Sequence, residues 1–151
     1  MNRHLFIWRL LAAASAVKIF WLSTEGFGGS WSRLFLSRTL EMLGLVLSPY
    51  AFELTHLIMR KLAHMFEYAL FTLLLYLSFG GTRHWQPHLA LYATLGAAVY
   101  SLTDEFHQSF VRGRGPSLVD CGIDIVGAAL AMFVVYWFAS IWMRLRKDPA
   151  R

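Results

Sequence analysis

The chain has 151 residues, of which 57% are hydrophobic, 16% aromatic and only 15% charged, with a formal net charge of +5. A soluble globular domain carries about 25% charged residues, so this composition argues against one and for a polytopic, all-α membrane protein formed as a single domain. The basic residues sit at segment ends and in loops instead of along one stripe, which excludes a nucleic-acid footprint and fits anionic lipid headgroups.

The first apolar run, near residues 5–22, follows Arg3 and contains an Ala-Ser-Ala step like that of a signal peptide. It continues through Ile19, Phe20, Trp21 and Leu22, a length that favours a retained membrane helix. Arg9 and Lys18 within it can snorkel to opposite interfaces. Gly26, Gly28 and Gly29 then break the helix. Near residues 31–47, Arg33, Ser37 and Glu41 recur every fourth position, which predicts an amphipathic helix lying in the interface. Ser48 followed by Pro49 predicts a new helix with proline at its first position. That helix runs straight into a second span near residues 62–79.

A Gly- and Pro-punctuated turn, GGTRHWQP, precedes a third span near residues 89–106. Gly113, Gly115 and Pro116 separate it from a fourth span near residues 122–143. The single cysteine, Cys121, excludes an intramolecular disulfide and reads as a small apolar filler. Arg144, Arg146, Lys147 and Arg151 follow the last span, which predicts a cytoplasmic C-terminus and, with four spans, a cytoplasmic N-terminus in the cytoplasmic membrane. The opposite side also carries Arg33, Arg38, Arg60, Lys61, Arg112 and Arg114, together with every acid except Asp148. Those basic residues are therefore read as partly paired.

This topology gathers the polar residues at the outer face. Arg60, His64 and Glu67 are spaced i, i+4, i+7 and share a helix face, with Lys61, His64 and Tyr68 on an overlapping one. Headgroup anchoring accounts for Arg60 or Lys61 alone. It does not account for Glu67, about two turns deeper, which needs a partner, a proton or a cavity. At the end of the third span, Asp104 is placed to share a face with His107 and Gln108, while Glu105 points about 100° away. Asp120 suits a helix N-terminus, but Asp124 lies one turn further in. Gly127 follows it and permits a close helix approach. Residues 112–115 could form an anion-binding turn, with Arg112 and Arg114 suited to phosphate.

These residues resemble the VanZ-like family of small bacterial membrane proteins. The first matching block is Arg60-Lys61, His64 and Glu67-Tyr68; the second is Asp104-Glu105, His107-Gln108, Phe110, Arg114, Asp120, Asp124 and Gly127. Residues 114–117 depart from the family, which more often has a small polar residue and Gly or Thr before that Ser. The resemblance implies an integral membrane protein of the cell envelope, in a family whose name-giving member confers low-level teicoplanin resistance. It does not certify an enzyme.

Three functions compete. The first is an outer-leaflet site for an anionic membrane lipid or lipid-linked envelope precursor, with Arg60, Lys61, Tyr68, Gln108, Arg112 and Arg114 binding and Glu105, Asp120 and Asp124 in support. The second is a hydrolase or transferase acting on a lipid phosphate, with His64, Glu67, Asp104 and His107 as acid and base groups. The same four would hold a divalent metal, Zn²⁺ or Mn²⁺ before Mg²⁺ given the two imidazoles. The third is a structural ion-pair network.

Overall fold

The computed structural model describes residues 3–24, 30–82, 84–111 and 116–147. Five α-helices make up these residues: α1 (Arg3–Leu22), α2 (Ser30–Met42), α3 (Pro49–Ser78), α4 (Pro87–Gln108) and α5 (Leu118–Lys147). No strand occurs among them. The glycine break at residues 26–29, Arg83, the turn at residues 112–115 and the tail beyond Lys147 lie outside the described residues.

Local sequence sets the helix ends. Ser48 is extended and its side chain accepts from the Ala51 amide at 3.3 Å, with Pro49 as the first helical residue of α3. The chain from Pro49 into the second span is thus one helix of 30 residues, about 45 Å long at the α-helical rise. That exceeds the roughly 30 Å of a bilayer core. Its first turns therefore extend past the second apolar run, toward α2.

The helix expected near residues 31–47 is shorter than the sequence pattern suggests. It ends at Met42 because Gly44 takes a positive φ of 66°. The Leu45 amide then bonds back to the Leu40 carbonyl at 2.9 Å and that of Gly44 to Glu41 at 3.1 Å, the Schellman pattern of helix termination.

The bundle is built around α3. Its most extensive contacts are with α5, followed by α1 and then α4, while α4 also packs on α5. The close α3–α5 approach has a specific cause: a Cβ on Gly127 would run into the Met65 backbone carbonyl. One core cluster joins Ile19, Tyr68, Phe71, Ala97 and Ala128; a second joins Tyr76, Ala90, Ala93 and Met132. The Tyr100 hydroxyl donates to the Ala16 carbonyl at 2.7 Å, tying α4 to α1. At the other end, the Tyr76 hydroxyl accepts from the Gln86 amide at 3.1 Å and donates to the His84 carbonyl at 3.3 Å, which holds the α3–α4 turn.

Polarity is distributed opposite to that of a water-soluble protein. Large apolar side chains such as Phe20, Trp21, Phe66, Leu91, Phe133, Trp137 and Trp142 are exposed, whereas Thr72, Ser101, Asp104, Glu105, Gln108 and Asp124 are buried. Helices α1 and α5 are long and apolar enough to cross a membrane. Charged residues in α3 and the polar end of α4 keep those two helices from meeting the same criterion of length and composition, so two candidate spans stand where the sequence predicts four.

Candidate functional site

The end of the bundle where α3 enters, α4 ends and α5 begins carries the polar residues. Three backbone and side-chain links assemble it. The Lys61 ammonium pairs with Asp120 at 2.5 Å, bridging α3 to the first turn of α5. The Ser117 amide donates to Glu105 at 2.6 Å, which fixes the entry to α5 against α4. The Ser117 hydroxyl in turn accepts from the Asp120 amide at 3.2 Å, an N-cap that satisfies one free helix donor.

Between these links lies a recess with a cavity volume of about 70 Å³, lined by Arg60, Lys61, His64, Glu105, Gln108 and Asp120. It has room for a few waters or one small polar group. On the opposite flank of α3 a second recess, of about 220 Å³, opens toward α1 and α2, and Arg60, His64 and Glu67 line it. A third, of about 530 Å³, opens beside α2 and the first turns of α3 and is lined by Arg33, Glu53, His56 and again Arg60. Arg60 therefore borders all three recesses, and His64 two of them.

Helix α2 closes over this region through defined bonds. Arg33 meets Glu53 bidentately, at 2.6 and 2.5 Å, and Ser32 meets the buried His56 ring at 2.8 Å. Arg38 pairs with Glu41 at 3.1 Å. Arg33, Arg38 and Lys61 thus each carry an acidic partner, in keeping with the sequence reading of partly paired basic residues. Cys121 is buried, as a filler would be.

The four predicted acid, base and metal residues do not come together as one set, although His64 and Glu67 both line the recess toward α1. Glu67 turns to α1 and pairs with Lys18 at 3.2 Å. His107 stacks near Phe20 of α1, with ring centroids 4.6 Å apart. Asp104 is buried on another face of α4 and accepts from Gln108 at 2.9 Å. His64 alone of the four faces the recess behind Lys61. Among the described residues, no three His, Cys, Asp or Glu side chains are grouped to hold a metal. The metal set His64, Glu67, Asp104 and His107 is corrected accordingly. Helical phase contributes: positions three apart share a broad face but differ by about 60°, which leaves Glu67 and His107 free to meet α1.

Other predicted residues are brought together. Arg60, Lys61, Gln108, Glu105 and Asp120 share the recess. Tyr68 and Asp124 lie deeper, fully or almost fully buried, with Asp124 accepting from Ser101 at 2.7 Å. The sequence reading omitted Ser101 and Ser117. Ser101 could have been found from its register: Ala97, Ser101, Asp104 and Gln108 form one helical stripe, and all four are buried. Arg112 and Arg114 lie outside the described residues.

The VanZ/LLP1 family matches this chain over residues 7–140. The chain belongs to that family. The match takes in α1 through most of α5 and both sequence blocks that carry the resemblance. No curated protein and no solved structure matches. With its two long apolar helices, this VanZ/LLP1 chain reads as a helical membrane protein.

Proposed function

We propose that this VanZ/LLP1 chain binds an anionic lipid headgroup, from a phospholipid or a lipid-linked envelope precursor, at the recesses bordered by Arg60. The observation that carries the reading is the position of Arg60, common to three adjoining recesses at the polar end of an otherwise apolar surface. A guanidinium there offers a planar set of donors that matches a phosphate in two bonds. The exposed apolar faces of α1 and α3 beside it suit the acyl or prenyl chains of the same molecule. In this reading the chain spans the cytoplasmic membrane four times, both termini are cytoplasmic and the site faces the outer leaflet. Occupancy there would alter glycopeptide access at the cell surface. Binding is favoured over hydrolysis because the four acid and base residues expected from the sequence point to different neighbours.

Native mass spectrometry of protein extracted from membranes tests this. Wild type should retain phosphatidylglycerol or a polyprenyl phosphate, and Arg60→Gln should lower retention about tenfold, the loss of roughly 1.4 kcal/mol. Equal retention by both proteins, each giving the same thermal unfolding midpoint, would remove the reading.

A further inference from the structure

Behind the recess, three helices bury polar atoms that find no partner among the described residues. Tyr68 on α3 has 0% relative exposure, Asp124 on α5 2% and Asp104 on α4 5%. The Tyr68 hydroxyl, Asp104 Oδ1 and Asp124 Oδ1 have no hydrogen-bond partner among the described residues. The second oxygens are engaged, Asp104 Oδ2 by Gln108 and Asp124 Oδ2 by Ser101. Tyr68 interacts electrostatically with both carboxylates and lies beside Ser101, and Asp124 interacts with Asp104.

Leaving one buried acceptor unpaired costs about 1–3 kcal/mol, and more when it is charged. Removing two carboxylates from water costs several kcal/mol per ion unless positive charge compensates. The described ion pairs commit the nearby cations elsewhere: Lys61 to Asp120, Lys18 to Glu67 and Arg33 to Glu53. Among the described residues no ion pair reaches Asp104 or Asp124, which leaves their charge open to a cation from solution. Of the four buried side-chain atoms without a partner among the described residues, three are these oxygens, the donor set of a hard cation, and the fourth is Nε2 of His107, whose ring lies against Phe20 of α1.

We infer that Asp104, Asp124 and Tyr68 form a binding site for one small divalent cation of the Mg²⁺ and Ca²⁺ kind, set between α3, α4 and α5. Its two charges balance the two carboxylates, and the tyrosine hydroxyl adds a neutral oxygen. The site differs from the His-containing set expected from the sequence: it uses no imidazole, and of those four residues keeps only Asp104. A bound cation would lock the three helices that also frame the recess. The inference does not rest on the lipid reading, since Arg60 takes no part.

The test uses the full chain in lipid nanodiscs. After dialysis against EDTA, Mg²⁺ or Ca²⁺ is returned at matched ionic strength, and bound metal and thermal unfolding are measured. Wild type should take up one equivalent of either ion and unfold at a higher temperature, with no such rise in NaCl. Asp104→Asn and Asp124→Asn, which keep side-chain size, should each weaken uptake at least a hundredfold, and Tyr68→Phe about tenfold. Wild type that takes up no metal overturns the site, whether or not the variants fold. So does an infrared band of a protonated carboxyl group in wild type that disappears in Asp124→Asn, which would assign a proton to the place of the cation. In either case, lipid retention by wild type and its loss in Arg60→Gln would still stand.

Discussion

Single residues in this protein matter most where backbones come close. Gly127 sits against the Met65 carbonyl of α3, so even one added methyl group must push α5 away. Gly127→Ala should destabilise the bundle by about 1–3 kcal/mol, the usual range for overpacking. Thermal unfolding in detergent would register this as a lower midpoint, and an unchanged midpoint would show that α5 shifts without penalty. Gly122, on the same helix, has open space where a Cβ would stand, with nothing within 4 Å, and serves as the control. Tyr76 offers a different case. Its hydroxyl makes two bonds to the α3–α4 turn, so Tyr76→Phe should cost about 1 kcal/mol while leaving lipid retention at Arg60 intact. Loss of retention in that variant would mean that the two ends of the bundle are coupled.

Individual helices are held by pairs whose value depends on exposure. The Lys18–Glu67 pair joins α1 to α3, with Glu67 at 19% side-chain exposure and Lys18 at 48%. Removing one charge strands the other, whereas removing both leaves little to compensate. Lys18→Met should therefore destabilise more than the double change Lys18→Met with Glu67→Gln. Equal midpoints for the two would show that water already screens the pair. Helix α2 is fastened differently, by Arg33 to Glu53 with both side chains about half exposed. Exposed pairs contribute about 0–1 kcal/mol, so Arg33→Ala should barely change global stability. It should instead speed proteolysis within α2, because few other contacts hold that helix to α3. Unchanged proteolysis would assign the fastening to Ser32, His56 and apolar packing.

Across the whole molecule, the four-span reading predicts that reporters fused at either terminus report the cytoplasmic side. A periplasmic C-terminus would put the Arg60 recesses at the inner face and rule out an outer-leaflet ligand. Much of the framework was legible in the chain. Pro49 after Ser48 marked the start of α3, glycine and proline marked the α3–α4 turn, and the pairing of Asp104 with Gln108 followed from one helical turn. The two family blocks also identified Arg60, Lys61, Glu105 and Asp120, which meet in one recess. The end of α2 was not legible, since the sequence pattern runs on to residue 47 whereas Gly44, taking the positive φ, stops the helix at Met42. Other features were not legible, because periodicity fixes which residues share a face but not which neighbour that face meets. Glu67 and His107 fit a site on their own helices, yet α1 supplies Lys18 and Phe20 and takes both away. Likewise, Tyr68, Asp104 and Asp124 lie on three different helices, and Gly127 lets two of them, α3 and α5, close together. The sequence by itself determined an all-helical chain, its helix starts and a polar end on an apolar body, since these depend on composition, backbone preference and spacing within one helix. Tertiary packing alone decided that this polar end divides into recesses around Arg60 and a deeper cluster of unpartnered oxygens, because the rotation of each helix against its neighbours sets which charges meet.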